Sequence, residues 1–312
     1  MPEDLLIKMS LFSRRAVLTT TFISLFYLVF SNFLVGFKSD QLVLMAIFNV
    51  CFYASWYSRK FILGFSIFIV YWILFDYMKA FPNYLYHSVS VEQLYNLEKS
   101  LFGILVNGKY LTPNEYWLAN SNTITDVCSG FFYLLWIPVP LAFAAYLFFV
   151  NRRQFLYFSF TFLLVNCLGF VVYYIYPAAP PWYVQQHGFD FIAHTPGNTG
   201  GLSRFDVFFQ MPVFETIYSK GSNVFAAMPS LHSSYPVIVL YYGLKNKLGL
   251  INIFFAIVML GIWFTAIYTS HHYMLDVLAG ISSAIIGILI FNVLKGRKTI
   301  KVLLDKYESA IL

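Results

Sequence analysis

The sequence predicts an all-α polytopic membrane protein, and three observations carry that expectation. Of the 312 residues, 59% are hydrophobic and 11% charged, against about 45–50% and about 25% in soluble domains. Apolar runs approaching the roughly 17–25 residues of a spanning helix recur about eight times. The 20 Lys and Arg side chains fall unevenly on the two sides that such spans define.

The spans are expected near residues 16–36, 42–57, 61–79, 127–150, 154–176, 229–246, 248–270 and 272–295. The second and sixth are short or polar. The first follows Arg14 and Arg15 and lacks the small-residue pattern of a cleavage site, so it reads as a span and not a signal peptide. Two long segments, 80–126 and 177–228, interrupt the series. In the former, Val91, Leu94, Leu97, Leu101 and Leu105 recur at helical spacing and predict an interfacial amphipathic helix. Cys51, Cys128 and Cys167 all lie in apolar runs and read as small packing residues.

With eight spans, both termini share a side with the loops at 58–60, 151–153 and 245–247. That side holds fourteen of the 20 basic side chains. Positive charge gathers on the cytoplasmic side, chiefly in short loops near span ends. Both termini are therefore expected in the cytoplasm and the 177–228 loop on the other side. This asymmetry accounts for the net charge of +6, and no nucleic-acid partner is implied.

Two ionisable groups stand out within the apolar runs. His272 and Asp276 are four residues apart, so on a helix they share a face one turn from each other. A carboxylate in that position fixes the imidazole tautomer and stabilises its cation, leaving the other ring nitrogen to react. His271 is turned about 100° away and reads as an interfacial residue. His232 follows Pro229 and Ser230, a sequence suited to the first turn of a helix, whose free amides and positive dipole end favour an anion. Both histidine-bearing helices start on the same side. Together they suggest a division of labour in which one histidine attacks phosphorus and the other gives and takes the proton. That chemistry needs no metal and no cofactor, and the His/Asp spacing matches no familiar metal cluster.

Pro229-Ser230-Leu231-His232 and His272-Tyr273-Met274-Leu275-Asp276 resemble the P-S-x-H and H-x-x-x-D motifs of the type-2 phosphatidic acid phosphatase superfamily. The segments "YPAAPPWY" (176–183), "GGLSRFD" (200–206), "AAMPSLHS" (226–233) and "HHYMLD" (271–276) are similar, in order and approximate distance, to the inositol phosphorylceramide synthases of fungal type. The resemblance covers residues 126–295. It implies a six-helix catalytic core in residues 126–296, preceded by N-terminal helices and the amphipathic helix in 1–125 and followed by a basic cytoplasmic tail in 297–312. It also implies His272 as nucleophile, His232 as acid/base and Asp276 as the partner of His272.

Two departures from the superfamily bear on the reaction. Its phosphatases carry K-x6-R-P, and this chain has no Arg-Pro pair; they also carry Arg six residues before the nucleophile, where this chain has Ala266. Arg204 and Lys220 are the only basic side chains of the 177–228 loop. A phosphomonoester dianion benefits from several cations, so few cations suit a singly charged phosphodiester and favour a transferase. Arg204 lies in the matching "GGLSRFD" segment, so the resemblance implies it as the leading phosphate ligand; nothing in the family requires Lys220, the weaker candidate. Ser230 belongs to the motif, Asp206 could hold Arg204 or a polyol hydroxyl, and Trp182 and Tyr183 read first as a rigid aromatic turn and second as a face for a sugar-like headgroup. The resemblance implies phosphatidylinositol as donor and ceramide as acceptor, and the distribution of basic side chains puts the site on the non-cytoplasmic side. A lipid phosphatase, a transferase using another headgroup and a non-enzymatic carrier stay open, and the sequence specifies no partner subunit.

Overall fold

The computed structural model describes residues 11–219, 221 and 223–312. Three N-terminal helices, α1 (Arg14–Val35), α2 (Ser39–Ala54) and α3 (Trp56–Tyr77), enclose a small core of Tyr27, Met45, Phe48, Phe52 and Ile62. Their other faces are apolar and exposed, as Phe22, Phe26 and Phe33 of α1 illustrate. In a bilayer that exposure is expected, because lipid tails are as apolar as the side chains they meet.

After short 3-10 turns comes α4 (Glu92–Phe102). The helix expected there is present but ends before Leu105. Ile104–Val106 (β1) and Lys109–Leu111 (β2) pair antiparallel instead. Asn107 and Gly108, at φ 49° and 78°, form the left-handed two-residue turn that Asn-Gly favours. Of the apolar stripe only Leu94 and Val91 are buried; Leu97, Leu101 and Leu105 face outward. A short α5 (Pro113–Ala119) follows, started by Thr112 and Glu115 as a reciprocal cap.

The central bundle consists of α6 (Thr123–Leu134), α7 (Pro138–Val150), α8 (Arg152–Ile175), α12 (Leu231–Lys245), α13 (Ile251–Tyr268) and α14 (Met274–Leu294). Pro138 and Pro140 separate α6 from α7, since proline cannot donate into a helix interior. Between α8 and α12 lie α9 (Pro181–His187), α10 (Ser203–Phe209) and α11 (Val213–Ser219), which cover one end of the bundle. Helices stand in all eight places read as spans. Among the described residues six stretches are both long and apolar enough to cross a membrane, while α2 and α12 are shorter, with 16 and 15 residues. The chain is therefore an all-α integral membrane protein.

The main core gathers Phe143, Leu147 and Phe148 of α7, Phe155, Phe158 and Phe162 of α8, and Tyr235, Ile238 and Tyr242 of α12. A last helix, α15 (Lys298–Ile311), lies against α3 and α8. Arg153 pairs there with Asp305 and, at 2.7 Å, with Glu308; the Tyr307 hydroxyl donates to the Leu63 carbonyl at 2.6 Å. The tail expected at 297–312 is thus a docked helix. Contacts also cross the expected boundary at 125/126, because α4 and α5 both bond to the segment that carries the second motif.

Candidate active site

Both histidine motifs open a helix, and the two helices are joined at that end. Ser230 caps α12, accepting the Ser233 N–H at 3.3 Å, and its own N–H donates to the Asp276 carbonyl at 2.9 Å. Ser234 donates to the Gly280 carbonyl at 2.7 Å. A Cβ on Gly280 would stand 2.1 Å from the Ser230 carbonyl oxygen, so the crossing requires glycine. The chain reaches α14 through a turn in which the Ala266 carbonyl accepts the N–H groups of His271 and His272, at 3.1 and 2.9 Å. Ala266 is fully buried.

This scaffold brings His232 and His272 into contact. Nδ1 of His232 and Nε2 of His272 are 3.2 Å apart. The other nitrogen of His272, Nδ1, faces Asp276 Oδ2 at 3.6 Å, an ion-pair separation longer than a hydrogen bond. Asp276 is fully buried, and its Oδ2 also accepts the Tyr273 N–H at 2.8 Å. The i, i+4 relation thus directs Nε2 of His272 at His232. His271 points elsewhere: its Nε2 meets the Thr199 carbonyl at 2.8 Å, and its ring stacks on Tyr133 and Tyr218 at 5.5 and 4.5 Å. Burial, then neighbouring His272, pushes its pKa down to about 3, opposed by the Thr199 bond, so it stays neutral at ordinary pH.

Several residues around this pair were not legible beforehand. The Tyr133 hydroxyl lies 3.2 Å from Nδ1 of His232, and Trp136 meets the same ring edge to face at 4.3 Å. Asn114, fully buried on α5, donates to the carbonyls of Ile267 and His272 at 2.8 and 2.9 Å and so fixes the turn before α14. Glu98, fully buried on α4, accepts the N–H groups of Met274 and Leu275 at 2.9 and 3.1 Å. Its carboxylate occupies the positive end of α14, so those two amides are not directed at a phosphate. Burial first, and Asp276 last among the causes, push the Glu98 pKa up to about 7, with the two amide bonds pulling against burial.

Arg204 stands on α10 with Nε donating to Asp126 Oδ1 at 2.6 Å and its guanidinium 5.3 Å from the Tyr268 ring. Tyr268 donates to the same carboxylate oxygen at 2.8 Å. Nη2 of Arg204 is buried without a hydrogen-bond partner. A Cβ on Gly201 would stand 2.9 Å from that nitrogen, and one on neighbouring Gly200 3.5 Å from Nε2 of His271. Arg204 and His271 thus flank the same Gly200–Gly201 turn.

The remaining expected contacts lie elsewhere. Asp206 holds neither Arg204 nor an open position; its two oxygens accept the Phe214 and Glu215 N–H groups at 3.0 and 2.9 Å and cap α11. Trp182 is buried among Val91, Ala179 and Phe225, and its backbone N–H donates to Ser270. Tyr183 is fully buried, with its hydroxyl between the Asp190 carbonyl and the Ile192 N–H. Both are packing residues of the turn, in line with the first of their two readings. Lys220 lies outside the described residues.

Known proteins share this chain's sequence over the same region. The profile of the PAP2 superfamily matches residues 93–290, starting within α4. A phosphoinositol dihydroceramide synthase of Bacteroides thetaiotaomicron is 44% identical over 282 residues, spanning 90% of this chain and 92% of that one. An inositol phosphorylceramide synthase of Candida albicans is 25% identical over 285 residues, spanning 88% of this chain and 56% of that one. The catalytic subunit of inositol phosphorylceramide synthase from Saccharomyces cerevisiae is 31% identical over 132 residues, or 42% of this chain and 32% of that one. No solved structure matches the chain.

Proposed function

The chain belongs to the PAP2 superfamily, and from that premise we propose that it is a sphingolipid synthase, a lipid phosphotransferase that moves phosphoinositol from phosphatidylinositol to a ceramide-class alcohol. The 44% identity over nine-tenths of the chain to a phosphoinositol dihydroceramide synthase carries the substrate assignment. The contact between Nε2 of His272 and Nδ1 of His232 carries the mechanism.

His272 Nε2 attacks the phosphorus, and the bond from phosphorus to the diacylglycerol oxygen breaks. His232 protonates the departing oxygen, leaving a phosphoinositol group on His272. The ceramide hydroxyl then gives its proton to His232 and attacks the same phosphorus, returning His272 to its free state. Asp276 stabilises the imidazolium that forms, and Arg204, oriented by Asp126, meets the phosphate oxygens through its free edge. The apolar bundle around the pair supports exclusion of water from the intermediate.

The sidedness follows from charge: with fourteen basic side chains on one side, both termini are assigned to the cytoplasm and the histidines to the opposite face. Purified protein in liposomes with headgroup-labelled phosphatidylinositol tests the reading. Label entering a new lipid only when ceramide is added supports it; label released as inositol phosphate regardless of ceramide would make the protein a hydrolase.

A further inference from the structure

At the far end of the catalytic helices a second charged cluster is built. Lys245 closes α12, Lys295 caps α14, and Arg153 opens α8. With 21 residues, α14 rises about 30 Å from the Asp276 end to the Lys295 end. The cluster therefore stands at the opposite membrane face from the histidines. All three side chains converge on one ring: Lys295 Nζ, Lys245 Nζ and the Arg153 guanidinium carbon lie 5.2, 5.6 and 5.9 Å from the centroid of Tyr157.

The three cations are not equivalent. Arg153 is answered within the chain by Asp305 and Glu308. Among the described residues no carboxylate pairs with Lys245 or Lys295. Yet both are held in place. Lys295 donates to Asn292, whose amide donates to the Tyr241 hydroxyl at 2.9 Å; Lys245 lies 5.3 Å from the Tyr242 ring and 5.6 Å from that of Tyr241. Ring faces attract each ammonium singly but leave their mutual repulsion in place. An anion between the two would remove the conflict.

We propose that Lys245 and Lys295 form a binding site for the phosphate of an anionic lipid headgroup, on the membrane face opposite the catalytic histidines. Both lysines sit at the end of a bundle helix, where a span would meet the headgroup layer, and basic pockets between such helices recognise anionic headgroups. The site reads phosphate charge, and it is separate from the lipid that reacts.

Full-length protein in phosphatidylcholine nanodiscs containing a small fraction of phosphatidylglycerol tests this, with bound lipid counted by native mass spectrometry. The wild type should retain phosphatidylglycerol in preference to phosphatidylcholine. Lys245→Gln combined with Lys295→Gln should weaken that retention roughly thirtyfold, at roughly fivefold for each lysine. The Lys245→Arg, Lys295→Arg pair should restore most of it, which a merely misfolded protein would not do, and His272→Ala should leave it unchanged. Retention by the double glutamine variant equal to that of the wild type would overturn the proposal. So would a thermal shift from inorganic phosphate that is lost in the double variant while phosphatidylglycerol shows no preference, since the pair would then serve free phosphate.

Discussion

Nε2 of His272 and Nδ1 of His232 face each other at 3.2 Å, although forty residues separate them in the chain. Each ring covers a nitrogen-bearing edge of the other, and the proposed reaction requires a phosphate to enter between them. The residues on either side of this contact give distinct expectations.

Replacing His272 or His232 by Ala should lower transfer roughly a thousandfold or more, with the protein still folded. His271→Ala should behave differently. Its ring is packed between Tyr133 and Tyr218, so its loss should destabilise by about 2–4 kcal/mol while retaining far more turnover per folded molecule. Rates and melting temperatures measured together check this; equal rate losses at His271 and His272 would mean that the reacting ring is misassigned.

Asp126 directs Arg204 through a single charged hydrogen bond. Asp126→Asn should cost about ten- to a hundredfold in kcat/KM, the range of one hydrogen bond to a charged group. Arg204→Lys should cost as much or more, because a lysine cannot bond Asp126 and phosphate through one planar fork. Steady-state kinetics with phosphatidylinositol as the varied lipid test both. An unchanged Asp126→Asn enzyme would remove Arg204 from the site.

The Glu98 carboxyl, raised from its ordinary value near 4.5 to about 7, makes a pH-dependent contribution. For an acid with a raised folded-state pKa, the stabilisation is fully present below the unfolded value and is lost as pH rises through the folded one. Wild-type stability relative to Glu98→Gln should therefore be greatest near pH 4.5 and decline until just above pH 7. Melting curves in detergent across that window show it; a difference that grows with pH would mean that the two amide bonds outweigh burial.

Gly280→Ala should destabilise by about 1–3 kcal/mol, because the new methyl group would meet the Ser230 carbonyl and separate the two motif helices. Turnover should fall with stability, since the same crossing sets the spacing of His232 and His272. A variant that melts and reacts normally would show that the helices can part without consequence.

A reporter fused to the C-terminus should be cytoplasmic, and one inserted near residue 195 should not. The reverse pattern would overturn the orientation drawn from the basic side chains.

How much was legible depended on sequence distance. His272 and Asp276 could be read together because one helical turn joins them, and His232 because it opens an apolar run. Arg204 could be singled out because its segment, "GGLSRFD", resembles the family. Asp126 could not be assigned to it, because 78 residues intervene, although a carboxylate at the start of an apolar run was itself a signal. Glu98 was hidden by its own helix. The apolar stripe of α4 drew attention to its outer face, while the decisive contact lies on the inner one. Asn114 left no trace at all, since its partners are backbone carbonyls that any residue could supply. The hairpin after α4 was marked by Asn107-Gly108, and the run of leucines concealed it.

That arrangement of α4 joins the bilayer surface to the chemistry. Leu97 and Leu101 point outward from the helix, while Glu98 between them grips the first amides of α14. Any displacement of α4 would bear on these two bonds and so on the turn before Asp276, one residue further on. The enzyme's rate should accordingly answer to the lateral packing of the surrounding lipids, with α4 acting as the lever.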